Sequence, residues 1–64
     1  MRKKLDSLVL GYGGYTRFAA DLGSSERSIY MLCKGKTNTT LEKAFQISVM
    51  LGCPVDELFS DLKG

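Results

Sequence analysis

The chain has 64 residues, 44% of them hydrophobic and 25% charged, and its formal net charge is +2. This length allows one domain with a single core, and the hydrophobic content argues against intrinsic disorder. The two cysteines cannot complete a zinc site, because the chain has no histidine to supply further ligands. No apolar run approaches the roughly 18 residues needed to cross a bilayer. We therefore expect a small globular domain that binds no metal, no cofactor and no membrane.

The positive charge is concentrated in the first two thirds of the chain. Residues 1–40 carry seven cationic and three anionic side chains, whereas residues 41–64 carry two cationic and four anionic ones. This asymmetry suits a protein that presents one end to a polyanion, although small excesses are also common on solvated surfaces. The basic start is interrupted by Asp6 and leads into no long apolar stretch, so we expect no signal peptide, a cytoplasmic location and free thiols.

Glycines divide the chain into short segments with helical periodicity. The first predicted helix covers about residues 2–10 and ends in the sequence GYGG, and the second covers residues 15–22 and ends at Gly23. Glycine favours such ends because it tolerates left-handed backbone geometry. Each segment has apolar side chains on one face: Leu5, Leu8 and Val9 in the first, and Phe18, Ala19 and Leu22 in the second.

The third predicted helix follows Ser25, whose hydroxyl can accept a hydrogen bond from the free amides of the first turn. Glu26 lies in that turn, where the helix dipole favours an anion, and Lys34 lies near the other end, where it favours a cation. Ile29 and Leu32 form the inward face, and Gly35 is expected to end the helix.

The fourth predicted helix begins after the loop at residues 37–40. Thr39 and Glu42 have the spacing of a capping box, and Thr40 is the alternative cap. Gly52 is expected to end the helix, and Pro54 opens a short fifth one. The residues expected in the core are Leu41, Ala44, Phe45, Ile47, Ser48 and Leu51 of the fourth helix, and Val55, Leu58, Phe59 and Leu62 of the fifth. Five short helices without strand-like alternation predict a compact all-α domain.

The segment YTRFAADLGSSERSIYMLCKGK, followed by TLEKAFQISVMLG and PVDELF, resembles the lambdoid Cro and repressor-type (Xre-like) helix-turn-helix family. The resemblance spans about residues 15–59 and implies a lambda repressor-like fold with one domain, residues 1–64, and a helix-turn-helix unit at about residues 15–34. Tyr15 replaces a common glutamine, Gly14 a serine or threonine cap, and Cys33-Lys34 a frequent Glu-Asn.

The resemblance implies that the third helix enters the major groove of operator DNA. Four residues would face the bases: Glu26, Arg27, Tyr30 and Met31. Arginine can bind guanine with two hydrogen bonds, glutamate can accept one from cytosine, and methionine can touch a thymine methyl. Seven residues would contact phosphates: Tyr15, Thr16, Arg17, Ser25, Lys34, Lys36 and Asn38. With so few cations, binding implies a homodimer on paired half-sites. The alternative interpretation is that each of these charged side chains is an ordinary solvated surface residue that contacts no DNA.

Several apolar side chains lie where the family usually has polar ones, and they leave two interpretations open. Val49, Met50, Phe59 and Leu62 could form a dimer or partner interface. Alternatively, Tyr30 and Met31 could dock the third helix on a phage repressor protein, which would make the chain an anti-repressor or modulator. We predict a Cro-like transcriptional regulator of phage or prophage origin, acting in the bacterial host cytoplasm. An enzyme is not expected, because the chain lacks histidine, a catalytic acid pair and a phosphate-binding loop.

Overall fold

The computed structural model describes residues 2–60, and these residues form five helices and no strand. In chain order the helices are α1 (Lys3–Tyr12), α2 (Gly14–Leu22), α3 (Glu26–Cys33), α4 (Leu41–Leu51) and α5 (Val55–Leu58). The all-α five-helix prediction is thereby confirmed. Within residues 2–60 no helix has the length and hydropathy needed to span a bilayer.

The first helix runs further than predicted. It continues through Gly11 to Tyr12, and the break lies at Gly13 and Gly14, whose φ angles are 145° and 95°. Both angles are in the region that favours glycine. A side chain at Gly13 would also crowd Arg17, because an added Cβ would lie 2.9 Å from the Arg17 Cγ atom. Gly13 is thus the N-cap of α2, and Gly14, predicted to be that cap, is the first residue of the helix.

The turn between α2 and α3 has the predicted form. Gly23 ends α2 in the left-handed conformation, and the amides of Gly23 and Ser24 donate to the Ala19 carbonyl at 2.9 and 2.8 Å. The Ser25 hydroxyl then accepts from the Ser28 amide at 3.1 Å and caps α3. These contacts satisfy amides and carbonyls that a helix end leaves free, so the short turn sets the angle between the two helices.

The fourth helix starts at the alternative cap. The Thr40 hydroxyl accepts from the Lys43 amide at 3.2 Å, so the cap is Thr40 and not Thr39. The buried residues of α4 are Ala44, Ile47 and Ser48. Leu41 and Phe45 were predicted to lie in the core, and that prediction is wrong, because they are 81% and 64% exposed. The helix packs against α1 and α5, and its buried side carries Ile47 between the small side chains of Ala44 and Ser48.

The core draws side chains from all five helices. It contains Leu5 and Val9 of α1, Phe18 and Ala19 of α2, Ile29, Leu32 and Cys33 of α3, Ala44 and Ile47 of α4, and Leu58 and Phe59 at α5. The core predictions for α2, α3 and α5 residues Phe18, Ile29 and Leu58 are confirmed. Residues 61–64 lie outside the described part, so the prediction for Leu62 does too.

Arg2, one of the seven cationic residues among residues 1–40, is buried and only 6% exposed. Its Nη1 atom donates to the Leu32 carbonyl at 2.6 Å and to the Thr37 carbonyl at 2.8 Å, and its Nη2 atom donates to Asn38 Oδ1 at 3.0 Å. Its backbone amide donates to the Cys33 carbonyl at 2.9 Å. The start of the chain therefore holds the end of α3 and the loop that follows it.

Candidate nucleic-acid interface

The outward face of α3 carries every residue that the sequence assigned to the bases. Ile29, Leu32 and Cys33 bury one face of the helix. The opposite face, here called the α3 face, consists of Glu26, Arg27, Tyr30, Met31 and Lys34. Glu26, Arg27 and Tyr30 are exposed, whereas Met31 and Lys34 are partly buried. The fold therefore groups these residues on one surface, as the helical spacing predicts.

Arg27 is available to bind a ligand. It is exposed, and it forms no hydrogen bond or ion pair with any residue between 2 and 60. A guanidinium offers five donors in a planar fork that matches the two acceptors of guanine or the oxygens of a phosphate. Arg27 is thus the side chain of the α3 face best able to make a bidentate polar contact.

Glu26 is connected to the start of α2. Its Oε2 atom accepts a hydrogen bond from the Thr16 hydroxyl at 2.6 Å. Both side chains are exposed, so this bond ties the first turns of α2 and α3 together across the surface. Thr16 was assigned to phosphate and Glu26 to a base, and the structure places the two in contact with each other.

Tyr15 is partly buried against the core and connects α1 with the α3 face. The hydroxyl donates to the buried carboxylate of Asp6, and this hydrogen bond, followed by burial, raises the pKa of Tyr15 to about 12. Its ring meets Tyr30 edge to face, with centroids 5.4 Å apart, and the Lys34 Nζ atom lies 5.2 Å from the Tyr30 centroid. The Tyr15 hydroxyl, assigned to phosphate from the sequence, is thus occupied by Asp6, and the ring supports Tyr30.

Arg17 lies at the exposed start of α2, where its Nε atom is 3.5 Å from Asp21 Oδ2. The same carboxylate accepts a hydrogen bond from the Tyr12 hydroxyl at 2.6 Å, which raises the pKa of Tyr12. An exposed ion pair of this kind contributes little and is easily exchanged. Arg17 can therefore turn to a phosphate at small cost.

A groove of about 470 Å³ lies between α3 and the loop before α4. Arg27 and Met31 line one side, and Asn38, Thr39 and Lys43 line the other. Lys43 was not predicted as a site residue. The sequence could have indicated it, because Lys43 lies three residues after the Thr40 cap, in the first turn of α4 and beside the loop whose residues were assigned to phosphate contacts. Lys36 is exposed in that loop, and the Asn38 side chain is oriented by Arg2.

The residues suggested for a dimer or partner interface are not equally accessible. Val49 is 66% exposed and Met50 is partly buried. Phe59 is only 3% exposed, so its assignment to an exposed interface is corrected: its ring belongs to the core. Leu62 lies outside the described residues.

The two thiols are free and differ in accessibility. Cys33 is buried, and burial raises its pKa to about 11, so the thiol is protonated at neutral pH. A protonated, buried thiol is a poor nucleophile. Residues 2–60 also contain no cluster of three or more histidine, cysteine or carboxylate side chains placed to hold a metal ion.

Comparison with known protein families gives one relevant match. The helix-turn-helix family matches residues 13–58, which is 46 of the 64 residues and includes α2 to α5. No curated protein and no solved structure matches the chain. The match confirms the predicted family, which was based on the sequence pattern of about residues 15–59. The chain belongs to the helix-turn-helix family of DNA-binding regulators.

Proposed function

We propose that the chain is a small Cro-like transcriptional regulator, of phage or prophage origin, that binds operator DNA with α3 in the major groove. The observation that carries this proposal is the exposed Arg27 on the α3 face, which forms no hydrogen bond or ion pair with any of residues 2–60. In the proposal Arg27 donates two hydrogen bonds to guanine, and Glu26 accepts from a cytosine amino group. Tyr30 and Met31 supply apolar contacts of the kind that a thymine methyl makes.

Phosphate contacts flank the α3 face on both sides. Thr16 and Arg17 lie at the start of α2, where free backbone amides also favour an anion. Lys34, Lys36 and Asn38 follow α3, and Lys43 extends this set across the groove. The hydroxyls of Tyr15 and Ser25, assigned to phosphate from the sequence, serve Asp6 and the α3 cap in the structure. We therefore propose that these two residues support the interface.

The small number of cations near the α3 face favours binding to DNA as two copies. One copy offers Arg17, Arg27, Lys34, Lys36 and Lys43 near the α3 face, which would give weak, salt-sensitive binding. We propose that two copies bind paired half-sites about one helical turn apart, as helix-turn-helix proteins commonly do.

The test is a fluorescence-anisotropy titration with DNA that flanks the chain's own gene, at several salt concentrations. Arg27→Ala is expected to weaken specific binding by about 1–3 kcal/mol and to relax selection at one base pair. Lys36→Ala is expected to weaken binding to all sequences alike and to lower the salt dependence by about one phosphate contact.

The matched control is Lys4→Ala, which also removes one exposed cation. Lys4 lies on α1, where its Nζ atom is 3.7 Å from Glu57 Oε1. The Lys4→Ala variant is expected to bind the specific DNA with nearly unchanged affinity. Equal losses from Arg27→Ala and Lys4→Ala would show that α3 does not read bases, and no binding even at low salt would refute the proposal.

A second candidate function is an anti-repressor that docks α3 on a phage repressor protein. The observation that favours it is Tyr30, which is 44% exposed and whose ring packs edge to face against Tyr15. Tyrosine is enriched at protein interfaces because it combines a large apolar ring with a polar tip. A pull-down with a repressor encoded nearby separates the two functions: capture that depends on Tyr30, in the absence of DNA binding, would favour the anti-repressor.

A further inference from the structure

The outer face of α4 carries an uncovered apolar stripe. Leu41, Phe45 and Val49 are 81%, 64% and 66% exposed. Because they recur every fourth residue, they lie along one face over about 12 Å of helix. This set is called the α4 stripe below. Single exposed apolar residues are common, but a continuous row of three large ones marks an interaction surface.

The α4 stripe has no structural task within the described chain. The core face of α4 is formed by Ala44, Ile47 and Ser48. No charged residue interrupts the stripe, and Glu42 and Gln46 lie along one flank. The helix therefore leaves Leu41, Phe45 and Val49 on its outer face, where solubility alone would favour polar side chains.

We propose that the α4 stripe is a dimer interface that pairs with the α4 stripe of a second copy in antiparallel orientation. A twofold axis beside Phe45 would bring the two Phe45 rings together and place Leu41 against Val49 of the partner subunit. The inference deepens the proposed function and rests on it in one respect, since it names the surface through which two copies bind paired half-sites.

The symmetry of the α4 stripe indicates that its partner is a second copy of the chain. Phe45 lies midway between the aliphatic residues Leu41 and Val49. In an antiparallel pair of α4 helices, each Phe45 ring therefore meets the other Phe45 ring, and each leucine meets a valine. The flank also suits a second copy. In this pairing Glu42 lies near Gln46 of the partner subunit, whose amide can donate to the carboxylate, and no two like charges meet.

The exposed area sets the strength of this dimer. The three side chains expose roughly 300–400 Å² of apolar surface, the size of the largest patch on a typical monomer. A stable interface buries about 800 Å² on each partner. The free dimer is therefore weak, and it is completed when two half-sites hold the copies side by side.

The experiment has one arm without DNA. Phe45→Cys in a Cys53→Ser background is expected to form a disulfide dimer on mild oxidation, because the two Cβ atoms meet at the axis. Leu10→Cys is the matched control, since Leu10 is a 51% exposed apolar residue on α1. Analytical ultracentrifugation of the unmodified chain is expected to show weak dimerisation, weakened at least tenfold by Phe45→Glu and unchanged by Leu10→Glu.

The second arm uses DNA with one or two half-sites. Phe45→Glu is expected to lower affinity for paired half-sites at least tenfold and to leave affinity for a single half-site unchanged. A chain that stays monomeric at millimolar concentration, with no faster cross-linking through position 45 than through position 10, overturns the inference even if it binds DNA. Dimerisation through position 45 without DNA binding supports the inference and refutes the proposed function.

Discussion

Replacing Arg2 with methionine tests whether the start of the chain holds the recognition unit in place. Arg2 is buried, and its guanidinium connects the Leu32 carbonyl at the end of α3 with Thr37 and Asn38 of the following loop. Its guanidinium carbon also lies 5.4 Å from the centre of the Phe59 ring. Methionine has similar length but no donor, so the variant removes the hydrogen bonds and keeps most of the packing.

The magnitude follows from the acceptors left behind. A hydrogen bond from a charged donor contributes about 1.5–3 kcal/mol, and an acceptor left unsatisfied in the interior costs about 1–3 kcal/mol. The Leu32 carbonyl is buried, whereas Thr37 and Asn38 are exposed and can bind water instead. These effects do not add fully, so we expect Arg2→Met to lower the free energy of unfolding by about 2–4 kcal/mol. A domain of this size has roughly 3–10 kcal/mol of stability in total.

Equilibrium urea unfolding, followed by circular dichroism, measures this loss. Lys3→Met is the matched control, because Lys3 is the exposed neighbouring cation, and its cost is expected to stay within about 0.5 kcal/mol. Arg2→Lys is expected to fall between the two, since an ammonium cannot reach all the acceptors that the planar guanidinium spans. If Arg2→Met costs no more than Lys3→Met, Arg2 does not hold the end of α3.

The remaining predictions concern three residues: Ser25, Cys33 and Tyr15. Ser25→Ala removes the cap of α3 and is expected to cost about 1 kcal/mol in urea unfolding, whereas Ser25→Asp restores most of it; equal stability of all three proteins would contradict the capping role. Cys33 should resist alkylation in the native domain at pH 8 while Cys53 reacts, and equal rates would contradict the burial of Cys33. Because the pKa of Cys33 rises from 9.0 to about 11 on folding, its neutral thiol stabilises the fold below pH 9, and this contribution should be lost as pH rises towards 11, with a smaller loss in Cys33→Ala. Tyr15→Phe removes the hydrogen bond to Asp6, so it should lower the urea midpoint and abolish the tyrosine transition near pH 12; a transition that persists would assign it to another tyrosine.

Much of the helix-turn-helix unit could be predicted because its signals are local. The caps at Ser25 and Gly23 act within one turn of the residues they satisfy, so the sequence around them is sufficient. The α3 face follows from the helical repeat once Ile29 and Leu32 are placed inward. The exposed Arg27 and its neighbours were therefore assigned to one surface correctly.

The partners of polar side chains within the site could not be predicted in the same way. The Tyr15 hydroxyl lies next to Asp6, nine positions earlier, and Thr16 donates to Glu26, ten positions later. These pairs depend on how α2 crosses its neighbours. No spacing rule within one helix relates the two residues of either pair.

By itself, the sequence determined the five helices, the caps at Gly23, Ser25 and Gly52, and the direction in which α3 presents its charged face, because these depend on contacts within a few residues. Two features were decided only by tertiary structure. Helix α4 has apolar residues on both sides, so its periodicity could not choose between burying Ala44 and burying Phe45. Its packing against α1 and α5 in the folded chain buries the side that carries Ala44, Ile47 and Ser48. The burial of Arg2 could not be predicted, because its acceptors lie 30 or more positions away and only the folded chain brings those carbonyls to its guanidinium.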